Sequence, residues 1–272
     1  MTTHPTAIVE DGARLGDGVE IGPFCSVGPY AVLDDGVRLL SHVAVTGKTQ
    51  IGARTIVYPQ AALGGPAQMR SWKPSDERLV IGADNVIREG VTISVGSHVG
   101  HGVTKLGDRN YLMAYSHVGH DCRIGNDVTL SNGVLIGGHV EIGDGVIMGG
   151  LAAAQQFGRI GSYAFISGLS GVSTDVIPYG IAIGLHVRLG GLNLVGLRRR
   201  GIPRPRIHAL RAAYRAIFLD GAGSLQDNAR SVQNQWADMP EVCEMIAFIL
   251  ADAKRPICPA RKHGSAPGDD ES

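Results

Sequence analysis

The densest chemistry in this 272-residue chain is the run His117-Val118-Gly119-His120-Asp121-Cys122. An imidazole beside a carboxylate suits a general base. The carboxylate orients the ring and stabilises the imidazolium formed when the base takes a proton. Sequence neighbours on a strand face opposite sides, so the run alone leaves open whether Asp121 meets the His120 ring. Imidazoles also bind zinc, and His98, His101, His117 and His120 could serve between stacked subunits. No carboxylate or cysteine frame accompanies those four, so no metal is expected. The plain alternative is a set of solvated surface histidines.

The elements that must position these groups follow a period of six. Stepping from Val9 gives Leu15, Ile21, Val27, Leu33, Leu39, Val45, Ile51, Val57 and Leu63, every one aliphatic. The phase resumes at Ile81, Ile87, Ile93 and Val99; one residue is then inserted, and the series runs from Leu106 to Val172. Neither a helix nor an alternating strand has this period. A short strand plus a turn does, and three such units close a triangular coil of eighteen residues. The coils stack as a parallel β-solenoid with the aliphatic side chains inside. At ~4.8 Å per coil, about nine coils give a prism roughly 40–45 Å tall. Glycine often follows the aliphatic, as in Ile21-Gly22 and Ile124-Gly125, and is expected to supply positive φ at the corners.

The repeat also yields neighbours by arithmetic. One coil beyond His120 lie Gly138 and His139, and two coils beyond lie Gln155 and Gln156. One coil before, allowing for the inserted residue, are His101 and Gly102. A polar column is thus expected along one prism edge, with Gly119, Gly137, Gly138 and Gly168 leaving room for a ligand.

Residues 64–80 break the pattern and read as an excursion loop, one whole coil's worth of chain between Leu63 and Ile81. Such long loops in compact repeats are usually functional, a tolerated insertion being the alternative. Past residue 186 the period ends. Ile207, Leu210, Ala213, Tyr214 and Phe218 share one helical face; further helices are expected near Ser224–Trp236 and from Pro240 to Ala253. The expected domains are therefore a solenoid over 1–186 with the loop at 64–80, a helical domain over 187–258, and a disordered tail over 259–272.

Composition narrows the class. The 39 glycines are about 14% of the chain, twice the usual ~7%. Aromatics are only 5% while hydrophobics are 44%, so the core is built of small aliphatics. Lys+Arg and Asp+Glu are both 25, which leaves no global basic field for nucleic acid. No apolar run approaches ~18 residues, so no transmembrane segment is expected. Met1-Thr-Thr-His-Pro lacks the basic and apolar regions of a signal peptide. Cys25, Cys122, Cys243 and Cys258 form no CxxC pair and read as reduced thiols of a cytoplasmic protein.

Several motifs in order resemble one family. They are His4-Pro5-Thr6-Ala7-Ile8-Val9, Ile21-Gly22-Pro23-Phe24, the His-x-x-His-Asp-Cys run, Gln156-Phe157, and Gly196-Leu197-Arg198-Arg199-Arg200-Gly201 ahead of the helices. Together they are similar to the acyl-ACP–UDP-N-acetylglucosamine O-acyltransferase family of lipid A biosynthesis, over residues 4–255. Hexapeptide repeats alone are common to many acyltransferases; the ordered set is specific. The resemblance implies an all-β left-handed parallel β-helix followed by a C-terminal α-helical domain. It implies a homotrimer with active sites in clefts between prisms, acyl carrier protein as partner, a UDP-sugar as acceptor, and no cofactor beyond acyl-ACP as co-substrate.

By the same resemblance His120, Asp121 and Gly138 are the catalytic set. His120 deprotonates the sugar 3-hydroxyl (or 3-amine), which attacks the thioester of a 3-hydroxyacyl chain, and the Gly138 N–H receives the oxyanion. Gln68, His117, His139, Gln156, Asn193, Arg199 and Arg200 are expected to bind substrate. Gly168 falls where the family limits acyl length, and a glycine there leaves the groove open to a longer chain. Arg198–Arg200, Arg204, Arg206, Arg211 and Arg215 would present a basic face to the acidic carrier protein, a solvated helix face being the alternative.

The chain departs from the family pattern at Met69 and Ser71 in the loop, at Ser94 and Val95, at Gln155 where a histidine is usual, and at Val195 where an acid is usual. These positions belong to acceptor contacts and spare the base. The expected acceptor is therefore a UDP-N-acetylglucosamine-like sugar nucleotide, which need not be UDP-N-acetylglucosamine itself. The competing readings are a hexapeptide transferase with another acceptor or an acetyl-CoA donor, and a non-catalytic trimeric paralogue.

Overall fold

The computed structural model describes residues 2–261. Most strands are two residues long, the shortest unit that sends one side chain inward and one outward. They assemble into three sheets, A, B and C, joined in turn by four-residue corners, as in Glu20–Ile21 (A), Ser26–Val27 (B) and Val32–Leu33 (C). Most strands pair in parallel with the strand one coil away, eighteen residues on: Glu20 with Arg38, Ser26 with Ala44, Arg123 with Glu141. The inward residues are the aliphatics of the six-residue series. Val27, Leu39, Ile51, Ile87, Leu112 and Ile136 are essentially inaccessible.

Two details of the period differ from the expectation. Ile51 pairs with Ile81, thirty residues on, so the excursion adds twelve residues rather than a full coil. Strands reach Gly65 on one side and begin at Arg78 on the other, leaving 66–77 as the loop. The second interruption is larger than one residue. Ile81 pairs with Leu106, twenty-five residues on, so seven residues are inserted. Val99 belongs to that insertion and is 61% exposed, not a core position. Both insertions lie at the edge between sheets B and C.

Apart from Gly64, the glycines after the aliphatics of the series are not the positive-φ residues. Left-handed backbone falls two residues later, at the third corner position, and is borne mostly by larger residues such as Phe24, Arg54, Asp121, His139 and Phe157, with φ between 58° and 64°. The earlier glycine serves the close stacking of coils: a Cβ on Gly22 would lie 1.5 Å from the Leu40 carbonyl oxygen.

The outward residues differ by face. Face C carries Lys105, Arg123, Glu141 and Arg159 in register. Face B carries Thr92, His117, Leu135, Ala153 and Gly171. The edge between A and B exposes Tyr115, Leu151 and Leu169 by 67%, 64% and 64%.

Sheet A does not end at residue 186. Gly180–Ile183 continues it, and Arg188–Leu192 turns back antiparallel to that strand. Four helices follow: α1 Leu194–Arg199, α2 Arg204–Phe218, α3 Leu225–Val232 and α4 Pro240–Leu250. Asn193 caps α1 and Ser224 caps α3 by accepting backbone N–H groups; α1 was not foreseen, and α4 stops three residues before Ala253. The helices are tied to the prism at Arg159, whose Nε donates to buried Asp175 at 2.7 Å while its guanidinium lies over the Phe248 ring. Tyr179 donates to Glu244 in the same region. Residues 259–261, expected to belong to the tail, are held to the prism: Leu189 N–H donates to the Pro259 carbonyl, Leu189 bridges to Ala260, and Arg261 N–H donates to the Leu189 carbonyl. Residues 262–272 lie outside the described residues.

Replacing Gly22 with Ala is expected to destabilise the prism by about 2 kcal/mol or more, as overpacking against backbone does. Thermal unfolding of the variant checks this, and an unchanged Tm would contradict the stacking role.

Candidate active site

His120 and Asp121 are not strand neighbours; they are the second and third residues of the corner joining His117–Val118 to Arg123–Ile124. The left-handed φ of 60° at Asp121 turns its side chain back toward the preceding ring. His120 Nδ1 lies 2.8 Å from Asp121 Oδ2. The carboxylate is fully buried and the imidazole 14% exposed, so the acid is dry and the base has an open side. The orientation the sequence left undecided is thereby decided in favour of a dyad.

Asp121 has more partners than the sequence showed. Ser97 Oγ donates to Oδ2 at 2.6 Å, Ser97 N–H to Oδ1 at 3.2 Å, and Gly102 N–H to Oδ1 at 2.9 Å. Its own N–H donates to Thr104 Oγ1. Burial alone would raise the carboxyl; the hydrogen bonds of Ser97 and His120 outweigh it and hold Asp121 below the ordinary carboxylate range. Ser97, Gly102 and Thr104 come from the second insertion and the strand after it; the period points to Gly102 but not to Ser97 or Thr104.

One coil above, Gly138 abuts the base. A Cβ at Gly138 would lie 2.6 Å from His120 Nε2, so only glycine leaves that nitrogen open. The Gly138 N–H carries no hydrogen bond among the described residues. The carbonyl of the same peptide unit, on Gly137, accepts from the buried Cys122 thiol at 3.0 Å, which holds the peptide plane. Burial pushes that thiol up to about 12, so it stays protonated as a donor.

His139 stands over Asp121, with Nε2 3.9 Å from Oδ2, and stacks on Phe157 at 4.5 Å. Burial lowers its pKa; Asp121 opposes that, and His120, His101 and Lys254 reinforce it. His117 Nδ1 meets Thr92 Oγ1 at 2.7 Å, and burial, then the charge of His120, lower its pKa as well. His101 reaches the cluster from the insertion, its ring 6.3 Å from that of His139, rather than from the coil below. The groups that converge as possible metal ligands among the described residues are His120, Asp121 and His139, not the four histidines named from sequence.

The open side of His120 faces a groove of about 910 Å³ along face B. Gln68, His117, Gly138 and Gln156 line it, as the sequence anticipated; Leu185 and His186 close its upper end and were not anticipated. His139 borders instead a second cavity, of about 660 Å³, with Phe157 and Lys254 on the face C side of the same edge. Gly168 does not line the groove within this chain; it lies in the corner preceding Gly171–Val172, at the other margin of face B.

Asn193, Arg199 and Arg200 are not brought to His120. The Asn193 carboxamide accepts from Gly196 N–H and donates to the Tyr163 carbonyl, and Arg200 lies 3.8 Å over the Tyr163 ring, all at the edge between sheets C and A. The positions expected to depart from the family pattern have varied settings. Ser94 lines the groove, Val95 is buried, Val195 is exposed on α1, and Gln155 Oε1 accepts from Arg255 at 2.9 Å. Two arginines of the expected basic face are paired, Arg206 with buried Glu241 and Arg215 with Asp220, each at 2.9 Å. Arg198, Arg199, Arg204 and Arg211 stay exposed.

With this geometry in hand, known proteins were compared. A sequence profile for domain 2 of Udp N-acetylglucosamine O-acyltransferase matches residues 175–258, and the bacterial transferase hexapeptide profile matches 104–138. The acyl-[acyl-carrier-protein]–UDP-N-acetylglucosamine O-acyltransferase of Rhizobium johnstonii is 48% identical over 254 residues, covering 93% of each chain. That of Brucella ovis is 47% identical over 271 residues, covering 98% of this chain and 97% of its own. A crystal structure of UDP-N-acetylglucosamine acyltransferase superposes with a TM-score of 0.93 at 38% identity, over 96% of this chain and all of that one. The Moraxella catarrhalis UDP-N-acetylglucosamine O-acyltransferase gives 0.90 at 34% identity, over 94% and 99%.

Gly138→Ala is expected to lower kcat by about 100-fold, through a displaced His120 ring and a disturbed N–H donor, while the fold is kept. Steady-state kinetics alongside circular dichroism checks this; unchanged kcat would mean the contact with Nε2 is immaterial.

Proposed function

The chain belongs to the acyl-[acyl-carrier-protein]–UDP-N-acetylglucosamine O-acyltransferase family, and we propose that His120 is the general base of its acyl transfer. The family reaction moves an acyl chain from acyl carrier protein to the sugar nucleotide and is the first step of lipid A biosynthesis. The observation that carries the assignment is the position of His120 Nε2, open to the groove and beside Gly138, with Nδ1 on a buried carboxylate.

In this reading the sugar 3-hydroxyl gives its proton to His120 Nε2 as its oxygen attacks the thioester carbonyl of a 3-hydroxyacyl chain. Asp121 acts through His120, as a positioning residue, and stabilises the imidazolium. The tetrahedral oxygen takes a hydrogen bond from Gly138 N–H. The C–S bond then breaks, the imidazolium returns its proton to the departing thiolate, and the enzyme is regenerated without a covalent intermediate. His117, Gln68 and Gln156 hold the sugar from the groove walls, and His139 supports the dyad from above.

Asn193, Arg199 and Arg200 serve the nucleotide from a neighbouring protomer. Their distance from His120 in one chain supports this, as does the apolar edge of Tyr115, Leu151 and Leu169, which is suited to burial at the centre of a homotrimer. Gly168, beside that edge, would then bound the acyl chain at the subunit boundary. The carrier protein would meet the unpaired arginines Arg198, Arg204 and Arg211. Unpaired thiols support a cytoplasmic location, and no described helix is long and apolar enough to cross a membrane.

His120→Ala is expected to abolish acyl transfer, by about 1,000-fold or more, in a protein that still assembles. Turnover near the wild-type level would sink the base assignment. Mass spectrometry of the product with UDP-N-acetylglucosamine and its 3-amino analogue decides between ester and amide. Mixed trimers of His120→Ala and Arg200→Ala protomers are expected to regain activity that neither parent has; failure to complement would place the nucleotide site within one chain.

A further inference from the structure

The solenoid breaks its period twice, and the second break calls for an explanation. Corners on the B–C edge need four residues, as in Gly119–Cys122, yet the equivalent connection from Thr92–Ile93 to Lys105–Leu106 carries eleven. The extra chain delivers three donors to a single acceptor. Ser97 Oγ, Ser97 N–H and Gly102 N–H all reach the Asp121 carboxylate, at 2.6, 3.2 and 2.9 Å. The approach is close enough that a Cβ on Gly100 would fall 2.4 Å from Asp121 Oδ2.

With His120 Nδ1 as the fourth partner, the carboxylate's lone pairs are filled. The two backbone donors hold Oδ1. Only the Ser97 hydroxyl and the His120 ring share Oδ2, so the hydroxyl fixes the oxygen that the base must meet. We propose that Ser97 is a positioning residue for acyl transfer, its hydroxyl locking Asp121 in the rotamer that serves His120. This rests on the reading of His120 as the base.

The charged and titratable groups facing the carboxylate are His120, His139 at 3.9 Å from Oδ2, and the adjacent Cys122 thiol. His101 lies behind His139, and Lys254 beyond Phe157. Without the Ser97 hydroxyl, Oδ2 is free to turn from His120 toward His139 Nε2. The base then loses its fixed orientation, while the groove that binds substrate is untouched: Ser97 does not line it.

A double-mutant cycle tests this. Ser97→Ala is expected to lower kcat about tenfold, with KM for both substrates within about twofold, because only orientation is lost. Asp121→Asn is expected to lower kcat about 100-fold or more through the wrong imidazole tautomer. Added to Asp121→Asn, Ser97→Ala is expected to cost nothing further. The same tenfold loss in both backgrounds, a loss carried by KM, or no loss in the single variant would overturn the proposal. Ser97→Thr, which keeps the hydroxyl, is expected to retain most of the turnover. If Ser97→Ala fails to fold, Ser97→Cys carries the same cycle, since its thiol fills the space but donates weakly. His120→Ala measured in parallel separates the two readings: high residual turnover there removes the base, whatever Ser97 does.

Discussion

A two-residue strand cannot hold a sheet by itself; it has only the strands one coil above and below to bond with. Every coil must therefore repeat at eighteen residues wherever the chain is to stay on the prism, and the inward aliphatic must recur at six. Corners of one edge are consequently stacked at the ~4.8 Å spacing of a β-sheet. That spacing is what makes a catalytic site possible here. It sets Gly138 against His120 and His139 over Asp121, at distances a flexible loop would not maintain. The corners also require a left-handed residue at their third position, and Asp121 occupies one. An aspartate tolerates that region better than most residues, and there it can reach the ring that precedes it.

Against this regular frame, the two insertions carry the irregular part of the site. Both leave sheet B and rejoin sheet C, on the edge that holds His120. One contributes Gln68 to the groove, and the other contributes Ser97 and Gly102 to the buried carboxylate. Rigid rungs above and inserted segments below thus divide the work. The rungs set the distance from His120 to the Gly138 peptide, and the segments fill hydrogen-bonding positions that a four-residue corner cannot reach. The C-terminal part adds a clamp from outside, where Arg255 bonds the Gln156 carbonyl and the Gln155 side chain.

The three faces are chemically distinct, and that distinction shapes the site as much as the dyad does. Face C is charged and in register, a surface that water stabilises. Face B narrows from His117 and Leu135 to the small Ala153 and Gly171, and the A–B edge carries large apolar residues. The groove beside His120 is open along face B, and Arg200, which caps α1, lies at another edge. A single chain therefore places His120 and the contact of Arg200 with Tyr163 on separate edges.

The sequence by itself determined the prism, because a period of six with aliphatics inside has one economical solution, and it determined the column of His120, Gly138 and Gln156, because coils add a constant number of residues. It also marked the loop by the break in the pattern, while Gln68 within it was named by the family resemblance. It misjudged the second break, where Val99 keeps the aliphatic phase by coincidence while the chain has already left the prism. It assigned positive φ to glycines whose real constraint is the carbonyl of the next coil. Only the tertiary structure decided that Asp121 faces His120, since a corner conformation rather than strand alternation governs those two side chains. Only it revealed Ser97, whose hydrogen bond joins residues twenty-four apart through an inserted segment that no periodicity indexes. Repetition can be read from spacing, because each coil meets the next in the same way; the contacts made where repetition stops depend on where the chain goes in space.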